Sequence, residues 1–212
     1  MALRVLPESA RGWRIGLMGG TFDPIHEGHL ALARYARSAL SLDAVLFIPA
    51  GCPYLKKSRL VADPADRLAM TDLAIRDEAG FYISDTEVKR KGETYTADTL
   101  EELHAAYPGN TWFFLTGADS YCYMEKWIRP SRIFELCTVV CTARDRIDTD
   151  ELERMRVRYV ELYGHDSVIL DMPAIDISST AIREMIGKGM STEGLVPPPV
   201  REYIEERKLY RP

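Results

Sequence analysis

Residues 19–30 read Gly-Gly-Thr-Phe-Asp-Pro-Ile-His-Glu-Gly-His-Leu, a set of residue types suited to holding a phosphate ester. The paired glycines Gly19 and Gly20 let a backbone turn tightly and expose its N–H groups. His26 and His29 add hydrogen-bond donors, or positive charge, beside a transferring phosphoryl group. Zinc is the rival use of two close histidines, but it needs further ligands and no cysteine lies near. A second stretch, Ile177-Ser178-Ser179-Thr180-Ala181-Ile182-Arg183, gathers hydroxyls and a cation where a helix is expected to start. Ile182, Met185 and Ile186 have helical spacing and should face a core, with Ser178 or Ser179 as the cap. Free N–H groups, hydroxyls and Arg183 at that helix start suit an anion.

Both stretches need a scaffold. The first follows an apolar run, Ile15-Gly16-Leu17-Met18, and leads into a helical pattern over 30–40. Strand-type runs lie at 14–18, 44–48, 81–84, 111–116, 138–142 and 168–170. Most are near-continuously apolar, as expected of parallel strands covered on both faces. Further helical patterns span 65–77, 97–106 and 150–163. Asp63 before Pro64, and Thr96, read as N-caps, and Tyr107-Pro108-Gly109 reads as a helix stop. The alternation implies βαβ units with right-handed crossovers, hence an α/β fold with a Rossmann-like, doubly wound parallel sheet. Ligands of such sheets bind beyond the carboxyl ends of the strands. That rule brings Gly19, Gly20, residues 48–57, 84–96 and 117–119, and Arg144 to one rim.

The chain has 212 residues, 46% of them hydrophobic, which suits one domain with one sizeable core. Residues 1–12 read as a short tail before the first strand, without the apolar centre of a signal peptide. A net charge of -5 and the lack of any basic run argue against nucleic acid as a partner. Arg154, Arg156 and Arg158 alternate with apolar residues and acids, as on a solvated helix face. The cysteines Cys52, Cys122, Cys137 and Cys141 form no Cys-x-x-Cys pair. Cys137 and Cys141 are expected on one face of a strand as buried thiols, so a reducing, cytoplasmic compartment fits. No apolar run is long enough to span a membrane. Pro197-Pro198-Pro199 is expected to open a last helix. Self-association is left open.

The His-x-Gly-His spacing after a glycine turn resembles the signature of the nucleotidylyltransferase superfamily, whose members share a Rossmann-like fold. The spelling Gly-Gly-Thr-Phe-Asp-Pro-Ile-His is most similar to the bacterial nicotinate mononucleotide adenylyltransferases. The resemblance runs from about Ile15 to Tyr210. It implies that Ile177, Ser178, Ser179, Thr180 and Arg183 hold ATP phosphates, a segment that usually reads differently in the cytidylyltransferase branch. It also implies that Gly117-Ala118-Asp119 forms the adenine-side loop and that Trp127 stacks on a substrate ring. Ser84 to Glu87 and Thr94 to Leu100 look like the segment that meets the pyridine nucleotide. There, Thr96 and the backbone of Ile128 would meet a carboxylate. Asp98, in the same first turn, should face away or cap the helix. One departure stands out. The family often has Pro-Pro-His-Lys or Pro-Pro-His-Arg after the second strand, where this chain reads Pro53-Tyr54-Leu55-Lys56. Any phosphate role of that histidine must be absent or fall to Lys56, Lys57 or Tyr54.

The resemblance implies adenylyl transfer from ATP to nicotinate mononucleotide, giving deamido-NAD and pyrophosphate. The acceptor's own phosphate is the nucleophile, so alignment and charge stabilisation should dominate. His29 would stabilise the α-phosphate, His26 would contact phosphate nearby, and Gly20, Thr21 and Phe22 would offer backbone N–H groups. Lys56, Lys57 and Arg144 fall on the mononucleotide side of the rim. Mg2+ is expected to enter with ATP, with few direct protein ligands. Other phosphate acceptors, such as nicotinamide mononucleotide or phosphopantetheine, remain open, as does a non-catalytic nucleotide sensor. An NAD-dependent oxidoreductase would need Gly-x-Gly-x-x-Gly after the first strand, which residues 16–30 lack.

Overall fold

Strand β1 (Arg14–Gly20) carries buried side chains on both its faces, and it lies in the middle of the sheet. The structure is a computed structural model describing residues 3–52, 62–142, 149–173 and 175–211. β1 is flanked by β2 (Ala44–Pro49) and β4 (Thr111–Gly117), both parallel to it. With β3 (Phe81–Ile83), β5 (Thr138–Thr142) and β6 (Val168–Leu170), the sheet has the order β3-β2-β1-β4-β5-β6. Every described pairing is parallel, and this is the doubly wound Rossmann order. All six expected strands are present, within a residue or two at their ends.

The strand sequences explain the two-sided burial. On β1, Ile15 and Leu17 join one core cluster while Met18 joins the other; on β4, Trp112 and Phe114 alternate with Phe113 and Leu115. One face is covered by helices α1 (Glu27–Ala39) and α2 (Pro64–Ile75), through Leu30, Ala33, Ala36 and Met70. The opposite face is covered by α4 (Thr96–Ala106), α6 (Pro130–Leu136) and α7 (Thr149–Tyr163), through Leu100, Leu103, Ile133, Phe134, Leu152 and Tyr159. The helices change face because right-handed crossovers run outward from β1 in both directions. Helices α8 (Ser179–Gly187) and α9 (Pro198–Glu206) return to the first face through Ile182, Val200 and Ile204.

The short helices α3 (Thr86–Lys89) and α5 (Ala118–Cys122), the 3-10 turn Met124–Lys126 and α6 were not expected from periodicity. Thr96 is corrected as an N-cap. Tyr95 is extended and its carbonyl accepts from Thr99 N–H, so Tyr95 is the cap and Thr96 the first helical residue. Asp63 does precede Pro64 at the start of α2, though without a capping hydrogen bond from its side chain. Cys137 ends α6 rather than lying in β5; it and Cys141 are buried in one cluster, and burial pushes each thiol up to about 12. The amino-terminal segment packs instead of trailing. Leu6 and Ala10 are buried, Ile83 N–H on β3 donates to Arg4 carbonyl, and Asn110 joins Ala10 to Trp13. This covers the outer edge of β3, which would otherwise stay unpaired. Among the described residues, no helix is long and apolar enough to cross a membrane.

Candidate active site

β1 ends at Gly20 and β4 at Gly117, so the crevice between them opens where the sheet order switches. The turn leaving β1 is held tightly. A Cβ on Gly20 would lie 2.8 Å from the Phe22 ring, so only glycine lets that ring fold back. Phe22 adopts φ 50, a left-handed conformation rare for an aromatic residue, and its buried ring meets His29 edge-on at 5.1 Å.

His26 is the N-cap of α1. Its carbonyl accepts from His29 N–H at 2.9 Å, and its own N–H donates to His29 Nδ1 at 3.2 Å. A backbone N–H can only donate, so Nδ1 is unprotonated and His29 carries its proton on Nε2. The two rings stack with centroids 3.7 Å apart. His26 is 2% exposed and lies behind His29, which reaches the surface. The result is an N–H donor at the positive end of a helix.

The second stretch meets the same turn. Ser178 caps α8, its Oγ accepting from Ala181 N–H at 3.2 Å. Ser179 Oγ donates to Pro24 carbonyl at 2.9 Å, while Arg183 donates to Asp23 carbonyl at 2.7 Å and to Thr180 Oγ1 at 3.3 Å. Ile177 packs at the margin of the core below. The glycine turn, the start of α1 and the start of α8 therefore converge, as the two stretches suggested. Leu195 carbonyl accepts from Glu27 N–H and adds the carboxy-terminal region to the same contact.

Across the crevice, Gly117 is the N-cap of α5 and Asp119 is exposed. Trp127 is half-buried with its ring edge-on to Phe114 at 5.8 Å, and Ile128 is exposed. Arg129, at φ 54, pairs with Asp98 and with Glu101 at 3.1 Å. That pairing ties the segment after Trp127 to the first turn of α4, where Thr96 lies, and occupies the Asp98 charge. Lys56, Lys57 and Arg144 lie outside the described residues, as do Tyr54 and Leu55. Among the described residues, no group of three His, Cys, Asp or Glu side chains is arranged to hold a metal.

Three features escaped the sequence reading, which had Glu87 only as part of a substrate-facing segment. Arg67 is fully buried and donates to Thr21 carbonyl at 2.7 Å, Gly51 carbonyl at 3.0 Å and Ala62 carbonyl at 3.3 Å. It thus clamps the loop after β1 to the loop after β2, and burial lowers its pKa from the ordinary guanidinium value. Its signal was present: Arg67, Met70, Thr71 and Ala74 share the buried face of α2, an odd place for a cation. Glu87 is a second buried ionisable group, accepting from Thr99 Oγ1 at 2.7 Å; burial raises its carboxyl pKa, while bonds from Thr99 and Thr94 oppose the rise. The third is Tyr210, whose hydroxyl donates to Asp23 Oδ1 at 2.7 Å.

The family described as Cytidylyltransferase-like matches residues 17–185. A protein of Desulfitobacterium hafniense (strain DSM 10664 / DCB-2) described as "Probable nicotinate-nucleotide adenylyltransferase" is 42% identical over 199 residues, covering 93% of this chain and 96% of that protein. One of Dehalococcoides mccartyi (strain CBDB1) with the same description is 41% identical over 203 residues, covering 93% and 97%. The solved Plasmodium falciparum nicotinic acid mononucleotide adenylyltransferase complexed with NaAD superposes with a TM-score of 0.75 at 19% identity, covering 93% of this chain and 97% of that one. That likeness shows the shared fold.

Proposed function

This chain belongs to the nicotinate-nucleotide adenylyltransferase family, and from that membership we propose that it joins ATP to nicotinate mononucleotide, giving deamido-NAD and pyrophosphate. An oxygen of the mononucleotide phosphate attacks the α-phosphorus of ATP in line. The bond from that phosphorus to the β-phosphate bridging oxygen breaks, and pyrophosphate leaves with the electron pair. The phosphate nucleophile is already ionised, so no general base is required.

One observation carries the reading: His29 presents Nε2–H, with Nδ1 held by His26 N–H, at the amino end of α1. A donor fixed before substrate arrives costs no reorganisation as charge grows on the α-phosphate. Backbone N–H groups of Gly20, Thr21 and Phe22 line the same turn. Ser179, Thr180 and Arg183 receive the departing pyrophosphate. His26 acts mainly through His29, since it lies beneath that ring. Gly117 and Asp119 border the adenosine, and Trp127 stacks on the pyridine. Magnesium would be carried in by the triphosphate and would offset phosphate charge; hard cations of this kind take waters and substrate oxygens as ligands and need few from the protein.

Acceptor choice follows from α4. Its first turn offers free N–H groups at Thr96, the segment at Ile128 is tied beside it, and Arg129 engages Asp98. A carboxylate on the pyridine is then met by donors without an opposing charge. Nicotinate mononucleotide should be favoured over the nicotinamide form by roughly 30- to 150-fold in kcat/KM, about 2 to 3 kcal/mol. The check is pyrophosphate release from ATP and magnesium across both mononucleotides and phosphopantetheine. Equal rates with the two pyridine nucleotides would remove the carboxylate argument. No release with any acceptor would favour a nucleotide sensor.

A further inference from the structure

Asp23 lies in the turn between the two phosphate elements, 3% exposed, with a carboxylate oxygen 3.9 Å from Arg183 Nη1. That distance is too long for a hydrogen bond. An aspartate so near competes with phosphate for the guanidinium and repels a polyanion. Tyr210 Oη donates to Asp23 Oδ1 at 2.7 Å, from the side of α2, with Met70 Sδ 4.0 Å from Tyr210 Oη.

Tyr210 is itself firmly placed. α9 is pinned to α2 by Tyr203 Oη donating to Asp66 Oδ1 at 2.8 Å and by the Arg207–Asp66 pair at 3.2 Å. Leu209 N–H then closes on Ile204 carbonyl, and Leu209 and Tyr210 pack against the core. Burial and the Asp23 charge both push the phenol pKa well up, so the hydroxyl keeps its proton and donates.

We infer that Tyr210 is a positioning residue: its hydroxyl holds the Asp23 carboxylate away from Arg183, leaving the guanidinium N–H groups not engaged by Asp23 carbonyl and Thr180 Oγ1 to pyrophosphate. The inference rests on the assignment of Arg183 to the leaving group. The experiment compares Tyr210→Phe, Tyr210→Phe with Asp23→Asn, and Arg183→Ala. It reads steady-state constants for ATP and mononucleotide, melting temperature, and calorimetric affinity for inorganic pyrophosphate. Tyr210→Phe keeps the ring and removes one hydroxyl. It should raise KM for ATP and weaken pyrophosphate about tenfold, the scale of one charge-assisted hydrogen bond. KM for the mononucleotide should stay within about twofold, since only the Arg183 side is disturbed. Adding Asp23→Asn should restore most of the ATP and pyrophosphate affinity, because a neutral amide does not compete for the guanidinium. A loss shared equally by both substrates, or one that Asp23→Asn does not repair, would overturn the inference and leave Tyr210 a packing residue. If Arg183→Ala weakens pyrophosphate but Tyr210→Phe does not, the inference alone falls. If Arg183→Ala leaves pyrophosphate affinity unchanged, the leaving-group assignment falls and takes the inference with it.

Discussion

His29 can be tested apart from its neighbours, because its two nitrogens have different jobs: Nδ1 accepts from His26 N–H and Nε2 donates outward. His29→Ala removes both and should lower kcat by on the order of 100-fold, the usual loss of a transition-state donor. His29→Asn offers an acceptor and a donor of similar span, and should recover part of that loss. Saturating turnover by the two variants, with melting temperature alongside, is the check. Near-normal turnover by His29→Ala would deny the role. This part of the site was legible because the glycine turn, both histidines and the helix start are contiguous. The Tyr210–Asp23 bond was not, since it spans 187 positions and no local pattern encodes it. Arg129 was equally hidden: its pairing with Asp98 spans 31 positions.

Among the elements, strands were easier to read than helices. Parallel strands buried on both faces show as short apolar runs whatever their neighbours do. Short helices such as α3 and α5 have too few turns to show a period. Yet α3 is where the loop after β2 comes against backbone. A Cβ on Gly51 would stand 2.0 Å from Glu87 carbonyl, a contact with rigid backbone that no rotamer relieves. Gly51→Ala should therefore cost about 1–3 kcal/mol, as overpacking does, or more where the backbone must shift. Because Arg67 also grips Gly51 carbonyl, the displacement should reach Thr21 through the same guanidinium. Denaturant unfolding measures the first effect and KM for ATP the second. A variant unfolding at the wild-type midpoint would show that the Gly51–Glu87 contact relaxes freely, and an unchanged KM that the two loops are not locked together.

At the scale of the whole molecule, Glu87 links stability to pH. Its folded pKa is raised, chiefly by burial, above the ordinary carboxyl value it has when unfolded. Below that ordinary value both states are protonated and the fold carries no penalty. As pH rises from there toward the raised value, the unfolded chain gives up its proton while the buried carboxyl keeps its own, so stability falls until the folded carboxyl ionises too. Glu87→Gln removes this dependence while keeping an acceptor for Thr99 Oγ1. The variant should match wild type in mild acid and become the more stable of the two toward neutral pH. Denaturant midpoints across that range provide the test, and parallel curves would refute it. The global topology was legible from the alternation of strand and helix patterns. The packing of the amino-terminal segment, with Arg4 on the outer edge of β3 and Ala10 on Asn110, was not, because that segment has no strand pattern of its own.

The strand order also governs how the molecule is made. β1 lies at the centre, yet its partner on one side, β4, comes far later in the chain, with Ile15 opposite Trp112. A growing chain that has reached α4 can assemble β1, β2 and β3, because those crossovers are local. It then presents the other side of β1 as a bare edge, with unpaired N–H and C=O groups between Ile15 and Leu17. A second nascent chain can add its own strand there, the reaction from which aggregation and strand exchange begin. The crevice proposed to admit the nucleotide is thus also the seam between the neighbouring strands farthest apart in the chain, and the place where misassembly would start.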